Sequence, residues 1–278
     1  MKPPITVGVV RGLMKELRAS ERDERPLVVG GARELARALE RALVRGGDPA
    51  AVRVGDPEGA AAYVYVVTGA EQEDERALKR ARRARVPIVA VAADPVSPDV
   101  SIPYVLATDV VRVRAGEGLP HGAIARAVAV RLGEEAAPLA ARLPLLRGAV
   151  CQRLVASFAR RNAIVAAAVF VPGADLPVLA RNQVRMLLRL DQAYGLELDT
   201  RARAPEVIAV VGAGLGLRTA ARELLDLVPV AGWAVKGAVA YAGTRALGEA
   251  AIRRLESGAP GGRAGATRQR GGASRGAP

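Results

Sequence analysis

At 278 residues the chain is long enough for about two domains. Half of its residues are apolar, which excludes a wholly disordered chain, yet aromatics supply only 3%, so the core must be built from Ala, Val and Leu. The 41 basic and 28 acidic residues leave +13, and the lone Cys151 and lone His121 exclude an intrachain disulfide, a cysteine-based zinc site and any mechanism needing a histidine pair.

Lysine occurs only at Lys2, Lys15, Lys79 and Lys236, so the basic excess is almost entirely arginine. In an Ala/Arg/Gly/Pro-heavy chain part of that excess reflects coding bias, and the placement of charge says more than its total. Residues 1–25 begin with Val7, Val10, Leu13, Met14 and Leu17 at helical spacing, interrupted by Arg11, Lys15 and Arg18. Charges inside the apolar stretch and no small-residue cleavage site argue for an amphipathic helix rather than a signal peptide.

Residues 26–116 alternate short β-rich runs with helical ones. Strands are expected at 27–29, 52–54, 63–67, 87–91 and 104–113, with helices after Gly31 and over 71–85. This alternation predicts an α/β domain with a parallel sheet covered on both faces. Residues 117–256 read as helix. One helix runs from Pro120-His121 to Leu132, and a long amphipathic one stacks Leu146, Val150, Leu154 and Phe158 on one face. Pro172-Gly173 breaks the chain, Asp175 is a candidate cap, and the following helix ends at Gly195, a good C′ residue. Residues 257–278 carry no acid and no large hydrophobe and are expected to be disordered.

A strand followed by Gly30-Gly31 invites a phosphate-loop reading. The second glycine, the lysine and the hydroxyl of G-x-x-x-x-G-K-[ST] are all missing, and Glu34 puts negative charge where phosphates would sit. A weaker alternative places a small ligand at the strand C-termini, around Gly30, Gly31, Gly69 and Asp94. Gly212-Ala213-Gly214 fails as a dinucleotide fingerprint because Leu217 stands at the third glycine; Gly212 and Gly216, four apart, suit close helix packing instead. The acids at 71–75 precede Lys79, Arg80, Arg82 and Arg83 and read as helix-dipole complementarity. No metal site, cofactor site or nucleophile is expected.

Between Arg142 and Leu190 there are eight arginines against the single acid Asp175. Arg181, Arg185 and Arg189 recur at i, i+4, i+8 and predict one basic stripe facing an anionic membrane surface or a partner protein such as a GTPase, joined by Trp233 and Lys236. No segment passes cleanly as a membrane span, since 227–243 holds Pro229 and Lys236. Nucleic acid is disfavoured because aromatics are scarce among the arginines. Arg270-Gly271-Gly272 is the one hint of RNA binding, and self-association is left open.

From residue 160 to 255 a further pattern emerges. Phe170-Val171-Pro172-Gly173-Ala174-Asp175-Leu176-Pro177 leads to Asn182-Gln183, Met186 and Tyr194-Gly195; then come Gly232-Trp233 and Tyr241-Ala242-Gly243-Thr244-Arg245-Ala246-Leu247-Gly248. This resembles the YcjF-like family of uncharacterised proteins, whose C-terminal helical domain is also found fused to Era-like GTPases. The resemblance implies a membrane-associated helical domain without assigned activity, at the cytoplasmic face of the cell membrane, preceded by a degenerate GTPase-like half. That half departs from the GTPase pattern. Thr68-Gly69-Ala70 stands where Asp-x-x-Gly would be needed, and Ala92-Ala93-Asp94-Pro95 where Asn-Lys-x-Asp would read guanine. The expectation is a non-catalytic scaffold or adaptor.

Overall fold

A computed structural model describes residues 8, 12–17, 23–69, 71–92, 102–114, 116–169, 176–196 and 232–258. Of the expected site residues, Asp94, Pro172, Gly173, Asp175, Gly212, Gly216 and the Trp233 side chain lie outside the described residues, as does most of the 257–278 tail.

Five strands form one all-parallel sheet: β1 (Leu27–Gly31), β2 (Val52–Val54), β3 (Ala62–Val66), β4 (Ile88–Ala92) and β5 (Val110–Arg112), in the order β2-β1-β3-β4-β5. Every residue of β3 and β4 is buried, as expected for strands covered on both faces. Because side chains alternate across the pleat, Leu27, Val29, Val64, Val66, Val89 and Val91 enter one core and Val28, Tyr63, Tyr65, Ile88 and Ala90 the other. The first face is covered by α1 (Arg33–Val44) and α3 (His121–Leu132), the second by α2 (Glu71–Arg83).

The β2–β3 connection is short. Both strands lie parallel to β1 on opposite sides of it, so residues 55–61 must return the chain to the opposite edge without a helix. Turns do this work: Glu58 N donates to Asp56 Oδ1 at 2.9 Å, Ala60 N to Pro57 O at 3.0 Å, and Ala61 N to Pro26 O at 2.9 Å.

The strand expected over 104–113 shrinks to β5. Val105 N turns back to Ile102 O at 3.3 Å, Tyr104 adopts φ +64°, and Ala107–Asp109 form a 3₁₀ turn, so only three residues remain to pair with β4.

Past the sheet, α4 (Ala136–Arg142), α5 (Pro144–Ala168), α6 (Leu176–Ala193) and α7 (Gly232–Glu256) follow. The sequence divides at 116/117, but the core does not. One apolar cluster runs from Val29, Val64 and Val91 through Leu39 and Val128 to Leu146, Leu154 and Phe158 of α5 and Met186 and Leu190 of α6. The helical layer therefore packs on the α/β part as a continuation of its interior. A second tie lies at the opposite strand edge, where Asp48 N donates to Arg142 O at 2.9 Å and Arg142 Nε to Asp48 Oδ2 at 2.9 Å. The Ala50 N–H and Arg142 hold the Asp48 carboxyl below the usual carboxylate range.

Helix α7 lies antiparallel on α5 through small residues. A Cβ at Gly237 would stand 3.2 Å from the Ala163 carbonyl, and one at Gly248 only 2.5 Å from Val155 Cγ2. Gly248→Val is expected to overpack this crossing and lower stability by about 2 kcal/mol, read as a reduced urea midpoint at unchanged slope. An unchanged midpoint would mean that the two helices slide apart freely.

Candidate functional site

In open parallel sheets ligands usually settle at the strand C-termini where crossover helices diverge to opposite faces, here between β1 and β3. Those loops close on each other. Gly31 has φ +92°, and a Cβ there would lie 1.7 Å from the Val66 carbonyl oxygen, which accepts the Ala32 N–H at 3.0 Å. The space beside Gly30 is filled by the Tyr63 hydroxyl, 2.0 Å from an ideal Cβ. Both glycines are thus required for close packing of β1 on β3. Burial pushes the Tyr63 hydroxyl up to about 12.

Across the same crevice sits one of the acids at 71–75, whose sequence pattern reads only as helix-dipole complementarity. Asp74, on the first turns of α2, is only 5% exposed. Its Oδ1 accepts the Tyr65 hydroxyl at 2.8 Å and Thr68 Oγ1 at 2.8 Å; its Oδ2 accepts Gly69 N at 3.1 Å and Thr68 N at 3.2 Å. Gly69 reaches this geometry at φ +82°. Backbone donors ahead of a helix are the usual cradle for an exogenous anion; here the chain's own carboxylate occupies them. Burial first, then the bond to Asp74, raise the Tyr65 hydroxyl far above its ordinary range. The Asp74 role is not separable by sequence pattern from that of Glu71, Glu73 and Glu75, since only the register of α2 against β3 turns one of the four inward.

The sequence reading also passed over an Asp-x-x-Gly string, Asp56-Pro57-Glu58-Gly59, which follows β2, the other neighbour of β1. Its carboxylate is engaged locally, by the Glu58 N–H and by Arg80 Nε at 3.6 Å.

The expected basic stripe is split. Arg181 is exposed, but Arg189 is 6% exposed and Arg185 turns inward. Both face Glu134, which the φ +58° turn at Gly133 swings in at the end of α3. Arg185 Nε donates to Glu134 Oε2 at 2.8 Å, Arg161 pairs with Oε1, and Arg189 Nε lies 3.8 Å from Oε2. Arg189 also donates to Gln192 Oε1 at 2.7 Å, and Arg185 reaches Glu16 at 3.1 Å. That last pair fastens the N-terminal segment, whose Leu13, Met14 and Leu17 are buried against Ala180, Val184 and Leu188. The i, i+4 spacing of arginines was legible; that an acid 50 residues earlier would absorb two of them was not. Burial raises the Glu134 carboxyl, but the bonds and charges of Arg161 and Arg185 outweigh it and leave the group below its usual value.

Several motif residues converge at the α5–α6–α7 junction. Asn162 Nδ2 donates to Thr244 Oγ1 at 3.0 Å, Asn182 Nδ2 to Asn162 Oδ1 at 2.9 Å, and Gln183 Nε2 to Thr244 Oγ1 at 3.5 Å. Asn162, Gln183 and Thr244 are fully buried, so the network fixes the register of three helices. Met186 is core, Gly195 ends α6 at φ +71°, and Tyr194 stacks beneath the Arg147 guanidinium at 5.1 Å. Cys151 is buried, and burial pushes its thiol up to about 12, away from nucleophilic use.

The C-terminal part of α5 and the N-terminal parts of α6 and α7 are joined by Ala166, Leu179 and Ala240. On these same helices Ile164 is 68% and Val178 47% exposed, Arg181 is exposed and Lys236 is half-buried. Among the described residues no helix is long and apolar enough to cross a membrane, and no group of three or more His, Cys, Asp or Glu side chains could hold a metal ion. Comparison with protein-family models, with curated proteins and with solved structures found no match.

Proposed function

We propose that this protein is a non-catalytic adaptor: a GTPase-like α/β domain without a phosphate loop, fused through a continuous core to a helical layer that docks on an anionic membrane surface. The observation that carries the non-catalytic half is the self-filled crevice between β1 and β3. Asp74 takes the Thr68 and Gly69 donors and the Val66 carbonyl takes the Ala32 N–H, so these backbone donors at the switch point are already engaged within the chain. Supporting the docking half are the exposed Ile164 and Val178 and the Arg181 and Lys236 of the same helices, an apolar and basic mixture suited to the headgroup region of an anionic bilayer.

Flotation with vesicles tests this reading. The full chain is expected to float with phosphatidylglycerol vesicles and to sediment with phosphatidylcholine ones. At about 1 kcal/mol per basic residue near the surface, the double variant Arg181→Glu/Lys236→Glu should bind at least roughly tenfold more weakly. Arg185 and Arg189 are excluded from the test because they hold Glu134. Absence of flotation with both vesicle types would overturn the docking reading; GTP turnover by the purified chain would overturn the non-catalytic one.

A further inference from the structure

The opposite edge of the sheet holds a cleft of about 450 Å³, lined by Arg82, Arg85, Val86, Pro87, Ile88, Tyr104 and Arg131. That volume lies within the range of small-molecule sites. Its floor is the start of β4, and the ends of α2 and α3 flank it. Three guanidiniums meet here. Arg131 is held by the buried Asp109 at 3.4 Å, whereas Arg82 and Arg85 make no ion pair with any described residue. They are not needed to cap α2 either, because its last carbonyls already accept the N–H groups of Ala84, Arg85 and Val86 at 2.9 to 3.1 Å.

A second, independent feature marks the same place. Among the described residues only two non-glycines have positive φ, Arg85 at +56° and Tyr104 at +64°, and both line this cleft. Arg85 ends a helix, where such a conformation is common. Tyr104 is a bulky residue in a region that costs it roughly 1–2 kcal/mol. Local strain of this kind gathers where a side chain must be presented to a ligand. The Tyr104 hydroxyl is steered by Glu75, 3.4 Å away, so the exposed ring stands as one wall of the cleft.

We infer that this cleft binds a small phosphate ester carrying a flat ring, of nucleoside monophosphate size. Arg82 and Arg85 match phosphate oxygens with planar, permanently charged forks, and Tyr104 supplies the stacking face. Arg131, already paired with Asp109, orients the ligand rather than supplying a free charge. The site lies on the other edge of the sheet from the crevice closed by Asp74, so it does not depend on that crevice or on membrane docking.

Isothermal titration of the full chain with AMP, adenosine and glycerol 3-phosphate tests the inference. AMP is expected to bind saturably, adenosine not at all, and glycerol 3-phosphate at least tenfold more weakly, which separates a ring-bearing ester from a lipid-type headgroup. Arg82→Ala/Arg85→Ala should weaken AMP at least tenfold. Tyr104→Gly should weaken it too while raising the thermal midpoint, since glycine relieves the strain. Either no saturable AMP binding, or AMP binding unchanged in the double arginine variant, would overturn the proposal. Glycerol 3-phosphate binding as tightly as AMP would overturn the ring-stacking half of it.

Discussion

Glu134→Gln should be among the most destabilising single changes in this chain, at about 3 kcal/mol, because it leaves Arg161, Arg185 and Arg189 facing a neutral amide in a partly dehydrated corner. The value sits at the low end for breaking a buried ion pair, since Arg161 is half exposed and can turn to water. Urea denaturation at neutral pH measures the loss. The acid limb provides a second check. Glu134 has a folded-state pKa below its ordinary 4.5, so its contribution is complete above that value. It drains away as pH falls through the lower folded value. The parent chain should therefore lose stability below about pH 4.5 more steeply than Glu134→Gln, and the two curves should converge in acid. Parallel curves would mean that the arginines do not depend on this carboxylate. A companion variant, Glu16→Gln, removes only the Arg185 contact to the N-terminal segment and should cost less than 1 kcal/mol, because Glu16 is half exposed.

Asp74→Ala is expected to cost about 3–4 kcal/mol. It strands the buried Tyr65 hydroxyl and removes the acceptor from the Thr68 and Gly69 N–H groups, each an unsatisfied donor worth roughly 1–3 kcal/mol less whatever water can reach. Asp74→Asn keeps one oxygen acceptor and should lose less. Tyr65→Phe, which deletes one donor together with its need for a partner, should lose least, near 1 kcal/mol. This ranking, read from chemical denaturation midpoints, distinguishes a structural keystone from a surface acid. If Asp74→Ala matched the parent within 0.5 kcal/mol, a value typical of exposed sites, the crevice would be open to solvent and the case for a closed switch point would fail.

The two predictions concern different halves of one interior. Asp74 fills the crevice between β1 and β3 at the strand C-termini, and Glu134 clamps the helices that the same apolar core carries. In both places a charged group that looks solvated in the sequence is turned inward, and in both the chain's own opposite charges or donors satisfy it. The two proposed binding surfaces lie elsewhere, one on the helices around Arg181 and one in the cleft at the start of β4.

Much of the architecture was readable in the residues alone. Short apolar runs of Val, Leu, Ile, Ala and Tyr near glycine and proline identify 27–29, 63–67 and 87–91 as strands, and the structure places them at 27–31, 62–66 and 88–92, buried on both faces as parallel strands are. The helical period is equally plain up to Leu132, through Leu146, Val150, Leu154 and Phe158, and ahead of the stop at Gly195, where the structure has helices over 121–132, 144–168 and 176–193. The missing lysine and hydroxyl after Gly31 also follow from composition of the motif, without coordinates. Three things were decided only by tertiary structure. The register of α2 on β3 chose Asp74 from among four neighbouring acids. The turn at Gly133 brought Glu134 to arginines 27, 51 and 55 residues downstream and converted an apparent membrane stripe into an internal clamp. The 102–109 turns placed Tyr104 on the cleft that Arg82 and Arg85 also line. Periodicity reports which residues share a face of one element; it carries no information about which opposite charge the fold will bring to that face, and that long-range pairing is what separates a buried arginine from an exposed one.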